Sequence, residues 1–276
     1  MPELPEVETV VRDLRPLLVG RSLLAVRRTS PHGLRQPWDA AWERPLAGAR
    51  VETASRRGKW IVLGLGGPAL VVHLGMTGQL TVVPAGKEMP THNHFAFPLD
   101  DGQELRYRDT RRFGSVTYSP GGTLMADEAL GPEPWELDGA AWRRALAGSG
   151  RAIKAVLLDQ GVVAGVGNIY ADEALFRARL HPARKAGSLT AAEATRLRKA
   201  VVAVLDQAIE KRGSTIRDYV GGSGLRGGYQ DEFAAYGRTG EPCRRCGAAL
   251  ALSRVAGRSS HYCPACQPVP SEDRLG

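Results

Sequence analysis

The chain has 276 residues, 43% of them hydrophobic, and 37 basic against 29 acidic side chains leave a formal net charge of +8. No run of about 18 apolar residues occurs, so no membrane-spanning helix is expected, and the N-terminus lacks the basic-then-apolar pattern of a secretory signal, which points to the cytoplasm. The length suits one large domain or two to three small ones, and the positive charge fits either a generic basic protein or one with a polyanionic partner, most often nucleic acid.

The chain opens Met1-Pro2-Glu3-Leu4-Pro5-Glu6, and Val7, Val10, Val11, Leu14, Leu17 and Leu18 follow at helical spacing. Pro5 suits a first helical turn, Glu6 and Glu8 complement the helix dipole, and Gly20 is the expected stop. Removal of Met1 leaves Pro2 as a free secondary amine at the positive end of that dipole, which favours the neutral, nucleophilic form. Residues 22–119 read as short strands over Leu23–Arg28, Trp60–Leu65, Ala69–Leu74, Leu80–Val83, Phe95–Leu99, Glu104–Arg108 and Ser115–Tyr118, separated by Gly, Pro and Asp. Strands at this spacing suggest a β-sandwich.

Gly131-Pro132-Glu133-Pro134 breaks the pattern. Helices are expected over Gly139–Ala147, Ile153–Asp159, Asn168–Arg179 and Ala191–Lys211, the last with Thr190 and Glu193 as a capping box. A tight apolar turn containing Gly161, Gly165 and Gly167 joins the second and third of these, and residues 221–228 form a glycine-rich loop. All four cysteines lie near the C-terminus, as Cys243-x2-Cys246 and Cys263-x2-Cys266. That is the spacing of a four-thiolate zinc site, and a cytoplasmic chain disfavours the alternative of two disulfides.

Several residues carry possible chemistry, each beside a plainer reading. The Pro2 amine can attack an aldehyde-like carbon, such as C1′ of a deoxyribose, and form an iminium; it is otherwise only residue two. Glu3 is a candidate general acid or a first-turn carboxylate, a role that Glu6 fits better. Lys59, at a strand start, reaches a phosphate, moves a proton, or is merely solvated. Met76 is core, or a soft wedge on a loop tip. Arg111 and Phe113 offer a guanidinium beside an aromatic, suited to the space left by an extruded base. Asn168, at a helix start beside close-approach glycines, fits phosphate binding or plain capping. Arg258 belongs in the hairpin between the two cysteine pairs, entering a groove or solvated. The arginine pairs at 27–28, 56–57, 111–112, 143–144 and 244–245 suit contacts to a long backbone from several loops.

Taken together, PELPEVET at 2–9, RRGKW at 56–60, HLGMTG at 73–78, RRFG at 111–114, LGPEP at 130–134, GVGNIYADEAL at 165–175 and the CxxC…CxxC ending in HYCPAC resemble the formamidopyrimidine-DNA glycosylase family of base-excision enzymes. The resemblance runs in order along nearly the whole chain. It implies an α+β multidomain fold: a catalytic domain over 2–130 with an N-terminal helix on a two-sheet β-sandwich, a helix–two-turn–helix domain over 131–235, a zinc β-hairpin over 236–270 and a frayed tail over 271–276. It implies a cytoplasmic, nucleoid-associated monomer that binds damaged or abasic duplex DNA between its domains, touches no membrane, and carries one structural Zn2+ on Cys243, Cys246, Cys263 and Cys266.

The same resemblance matches Pro2 to the nucleophile, Glu3 to the general acid, Lys59 to the lysine of β-elimination and Arg258 to the arginine linked to δ-elimination. Met76, Arg111 and Phe113 match the trio that fills the void, with Arg111 facing the orphaned cytosine. Lys59, His73, Asn168 and Arg258 match phosphate clamps, and His92 a further DNA contact. The chain departs from the family in having Thr110 where proline is usual before RRFG. It also has Gly150 where a basic contact is expected, so that Arg151 is the stand-in, and an unusually glycine-rich Ser214–Tyr229 loop where the family caps the lesion. The activity implied is removal of oxidised purines (8-oxoguanine and formamidopyrimidines) followed by β,δ-elimination. An endonuclease VIII-like enzyme for oxidised pyrimidines is the nearest alternative, which Leu4 disfavours because that relative usually has glycine there. A non-catalytic zinc protein that binds damaged DNA is another.

Overall fold

The structure, a computed structural model, describes residues 1–30, 32–122, 124, 127–215 and 226–269. Most of the expected Ser214–Tyr229 loop, including 221–225, and the tail over 271–276 lie outside the described residues. The chain forms two compact units, residues 1–128 with 209–230 and residues 129–208 with 231–276. Among the described residues no helix is long and apolar enough to cross a membrane.

In the first unit, helix α1 spans Leu4–Leu18. Its apolar stripe of Val7, Val10, Val11, Leu14 and Leu18 is buried in one core with Ile61, Leu63, Leu70, Val72, Phe97, Leu105 and Val116 of the sheets. Gly20 follows the helix with φ 88°, a left-handed position that a side chain disfavours. Two four-stranded antiparallel sheets follow. One has the order β1-β6-β7-β5, from β1 (Arg27–Arg28), β6 (Asn93–Pro98), β7 (Gln103–Asp109) and β5 (Gly78–Pro84). The other has the order β2-β3-β4-β8, from β2 (Thr53–Arg57), β3 (Trp60–Gly64), β4 (Ala69–His73) and β8 (Ser115–Ser119).

The sandwich is therefore the one expected, with two differences. The ladder of β1 holds only Arg27 and Arg28, while Leu23 makes a single bridge to Leu99. Strand β2 had no periodic signal because its residues, TASRR, place one buried alanine among polar side chains. A short helix, α2 (Glu43–Leu46), was also unforeseen and buries Leu46 alone.

Register decides what gathers at one end of this sandwich. Trp60 pairs with His73, and His73 with Ser115. In the other sheet Gly78 pairs with Asp109, and Asn93 with Arg108. The turn at Gly58-Lys59 and the loops 74–77 and 110–114 thus leave from the same end. The loops 74–77 and 110–114 each carry the chain from one sheet to the other.

The second unit contains α3 (Gly139–Leu146), α4 (Ile153–Leu158), α5 (Asn168–Ala178) and most of α6 (Ala191–Glu210), close to their expected bounds. Asp138 caps α3 through two backbone N–H groups at 2.6 and 2.7 Å. The capping box of α6 is present: the Thr190 N–H donates to Glu193 at 2.9 Å, and the Glu193 N–H donates to Thr190 Oγ1 at 3.2 Å. Strands β9 (Ala251–Val255) and β10 (Arg258–Tyr262) form the C-terminal hairpin.

Candidate active site and metal centre

In the first unit Glu3 is the N-cap of α1 and forms a reciprocal capping box with Glu6. The Glu3 N–H donates to Glu6 Oε2 at 2.8 Å. Pro2 and Glu3 are buried, whereas Met1 is 50% exposed. Glu6 does more than complement a dipole. Its Oε1 accepts the Ser214 N–H at 2.7 Å and the Ser214 hydroxyl at 3.1 Å, so it ties the helix start to a segment 208 residues away.

Lys59 occupies the second position of a two-residue hairpin between β2 and β3, after Gly58 with φ 55°. Positive φ at the first turn position is what glycine supplies in such hairpins. Arg56 donates to Glu8 at 3.1 Å and to the Gly58 carbonyl at 2.9 Å, which fixes the hairpin tip against α1. Burial opposes ionisation of Glu8, but Arg12 and Arg56 outweigh it and hold the carboxyl below its usual range. Lys59 is itself buried.

His73 ends β4 with its ring 4.6 Å from that of Trp60. Burial, reinforced by the charges of Lys59 and Arg35, lowers its pKa to about 4. Its Nδ1 accepts the Gly75 N–H at 3.1 Å. His73 is therefore a neutral imidazole with its proton on Nε2, a directed donor rather than a cation.

Met76 and Phe113 are 38% and 46% exposed, so Met76 does not belong to the core. The Arg111 guanidinium lies 4.7 Å from the Phe113 ring centroid. Thr110 leaves Arg111 anchored, because the Arg111 N–H lies 3.0 Å from Thr77 Oγ1 and 3.2 Å from Asp109 Oδ1. His92 is exposed at φ 63°, and its carbonyl accepts the Asp109 N–H at 3.0 Å.

In the second unit Asn168 is the first residue of α5, and the N-cap is Gly167 with no side-chain cap. The capping alternative for Asn168 is corrected accordingly: its Nδ2 donates to Ser259 Oγ on β10 at 3.3 Å. The preceding turn is stapled by Gln160, which sequence reasoning missed. The Gln160 amide donates to the Leu158 and Val166 carbonyls at 3.0 and 2.8 Å and accepts the Gly165 N–H at 2.9 Å. Arg151 is exposed but paired with Asp159 at 2.8 Å, so a phosphate there competes with a carboxylate. Arg258 is exposed and directly follows Ala256 and Gly257, at φ 50° and 72°, the paired positive values of a type I′ turn.

Lys154 and Asp172, both fully buried, form an ion pair at 2.6 Å. Lys154 also donates to the Ser259 carbonyl at 2.5 Å and to Ser260 Oγ at 2.9 Å. Asp172 Oδ2 accepts the His261 N–H and meets His261 Nδ1, each at 2.9 Å. Strand β10 is thereby fastened to α4 and α5 by buried charge. Members of several arginine pairs also have partners within the protein. Arg27 binds Glu104, Arg56 binds Glu8, Arg57 binds Asp127, and Arg245 donates to the Phe176 carbonyl while covering the Phe176 ring.

The sulfurs of Cys243, Cys246, Cys263 and Cys266 all lie within 4.8 Å of one another. A tetrahedron of Zn–S bonds of about 2.3 Å separates sulfurs by roughly 3.8 Å, so the cluster fits one zinc ion. The nearest sulfurs are 3.5 Å apart, too far for the bond of about 2.05 Å in a disulfide. Backbone N–H groups of Arg245 and Cys266 point at Cys243 and Cys263 sulfurs, each at 3.4 Å, as thiolate ligands require.

Three family models match in order: the formamidopyrimidine-DNA glycosylase N-terminal domain over residues 1–116, its H2TH domain over 130–220, and a zinc finger found in FPG and IleRS over 240–269. The chain is 48% identical to a formamidopyrimidine-DNA glycosylase of Symbiobacterium thermophilum over 275 residues, covering 98% of this chain and 90% of that protein. Among solved structures it resembles a mutant Lactococcus lactis Fpg in complex with Fapy-dG containing DNA (TM-score 0.90, 35% identity, 97% of this chain and 100% of that one). It also resembles the Lactococcus lactis Fpg bound to DNA containing an abasic site (TM-score 0.89, 34% identity, with the same coverage).

Proposed function

This chain belongs to the formamidopyrimidine-DNA glycosylase family, and on that premise we propose that it removes oxidised purines from duplex DNA and then cleaves the abasic strand, with Pro2 as its nucleophile. The observation that carries the reading is the crowding at one end of the first unit. There the buried Lys59 hairpin, neutral His73 and the exposed Met76, Arg111 and Phe113 loops share one sandwich end, and the α1 start is fastened to the hairpin through Arg56 and Glu8.

Once Met1 is removed, the Pro2 nitrogen attacks C1′ of the extruded nucleotide. Glu3 supplies a proton to the sugar oxygen or departing base, and an iminium forms between Pro2 and the opened sugar. The iminium acidifies the C2′ hydrogens. Loss of one, with Lys59 as proton partner, expels the 3′ phosphate, and a second elimination assisted by Arg258 expels the 5′ phosphate. Met76, Arg111 and Phe113 occupy the vacated stack, at an unstacking cost of a few kcal/mol. His73 and Asn168 hold backbone phosphates as neutral donors, while Lys59 and Arg258 hold them as cations, and His92 and Arg151 add peripheral contacts. The working division is 2–130 for chemistry, 131–235 for DNA backbone and 236–270 for the zinc hairpin, acting as a monomer. Zinc on the four thiolates has a closed shell and serves structure alone.

Borohydride trapping tests the nucleophile. The Met1-processed protein should form a covalent adduct with DNA containing 8-oxoguanine opposite cytosine, and Pro2→Gly should form none. Equal trapping by Pro2→Gly would refute the role of Pro2. Release of thymine glycol in preference to 8-oxoguanine would favour the pyrimidine-specific alternative.

A further inference from the structure

We propose that Thr77 and Asp109 are positioning residues that join the Met76 loop and the Arg111–Phe113 loop into one preassembled wedge. The proposal rests on the reading of those three side chains as the filler of the vacated stack.

Asp109 is the last residue of β7 and is fully buried. Its carboxylate gathers donors from both loops. Oδ1 accepts the Thr77 hydroxyl at 2.5 Å and the Arg111 N–H at 3.2 Å, and Oδ2 accepts the Gly114 N–H at 2.9 Å. Thr77 in turn lies 3.0 Å from the Arg111 N–H and accepts from it. The threonine hydroxyl is thus both acceptor and donor between loops 32 residues apart. Both ends of the 110–114 loop converge on the one carboxylate.

The two backbones also touch. A Cβ on Gly75 would lie 2.5 Å from the Gly114 nitrogen and 2.6 Å from the Phe113 carbonyl carbon. Inside the loop Arg112 holds φ 58°, a left-handed conformation that persists in a non-glycine residue only when its surroundings over-determine it. The buried carboxylate supplies that constraint. A wedge whose backbone is ordered before it meets DNA loses less conformational freedom on insertion, so more of its contact energy goes to holding the duplex open.

The test uses full-length, zinc-loaded, Met1-processed protein. Borohydride trapping is timed on an abasic site opposite cytosine in a duplex and on the same site in a single strand, which leaves no stack to fill. The readout is the ratio of the two rates. Thr77→Val removes both the acceptor and the donor and should lower the ratio about tenfold or more, the net effect of losing one to two buried hydrogen bonds. Thr77→Ser keeps the hydroxyl and should stay within about twofold of wild type. Adding Thr77→Val to Arg111→Ala should lower the ratio by less than the product of the two single losses, because part of what Thr77 holds in place is already gone. Asp109→Asn is a second variant with the same expectation, and the threonine series stands without it if it fails to fold. A wild-type ratio for Thr77→Val beside a lowered one for Arg111→Ala would overturn the proposal, as would losses that multiply in the double variant. An unchanged ratio for Arg111→Ala would instead overturn the wedge reading, and the coupling with it.

Discussion

Replacing Lys154 by methionine should destabilise the second unit by about 3–5 kcal/mol, the usual consequence of removing one partner of a buried ion pair. Methionine fills most of the volume of the lysine stem, so packing changes little. What is lost is charge and the polar contacts of the ammonium, among them the Asp172 carboxylate at 2.6 Å, the Ser259 carbonyl at 2.5 Å and Ser260 Oγ at 2.9 Å. Among the described residues, Asp172 would remain fully buried against the His261 backbone N–H and ring. Urea unfolding of the zinc-loaded protein measures the change, and a thermal scan should show a midpoint lower by roughly 10 °C. Adding Asp172→Asn removes the stranded charge and should recover part of the loss, since neutral pairs avoid the desolvation that makes a lone buried ion costly. A single variant within about 1 kcal/mol of wild type would refute the reasoning, and so would a double variant whose losses simply add.

Glu6→Ala should cost about 3 kcal/mol, because the Glu3 and Ser214 N–H groups lose a charged acceptor in a buried setting; unchanged unfolding with unchanged exchange at the Ser214 amide would count against it. His73 makes stability fall with acid. Its folded pKa is about 4 against 6.5 for the free side chain, so between those values the unfolded chain binds more protons. The contribution is complete above pH 6.5, declines as pH drops toward 4 and levels off below, by about 3 kcal/mol in all. His73→Gln should flatten that part of the profile, and a profile identical to wild type would show that His73 titrates normally. Zinc chelation, or Cys266→Ser, should open the C-terminal hairpin to trypsin at Arg254 and Arg258 and abolish binding to a duplex carrying an abasic analogue. Tight binding after complete zinc loss would contradict a structural role.

Helices were legible in the sequence because their signals are local. Thr190 and Glu193 announce α6, and the 3.6-residue stripe of Val7 to Leu18 announces α1. The cysteine spacing likewise announced the metal centre. Strand β2 was not legible, since TASRR owes its place to pairing with β3 rather than to any alternation of its own. Candidate site residues came from residue chemistry and motif resemblance, while their supports stayed hidden. Asp109 meets Thr77, Glu6 meets Ser214 and Lys154 meets Ser260 over separations that no window of sequence spans. Exposure was equally hidden, and it is what takes Met76 out of the core. Charge alone did not show the internal partners of the arginines: Arg56 and Arg245, read in pairs suited to a long backbone, each also fasten one segment of the protein to another.

The bond between Glu6 and Ser214 has a consequence for how the protein is made. The first unit takes residues 1–128 and then waits for 209–230. At ordinary translation speeds of about 5–20 residues per second, Ser214 leaves the ribosome roughly 4 to 17 seconds after residue 128. During that interval the first turn of α1 carries a carboxylate whose long-range donors have not yet been synthesised. The nascent sandwich therefore holds the start of its first helix incomplete, and that corner matures only when the chain returns to it.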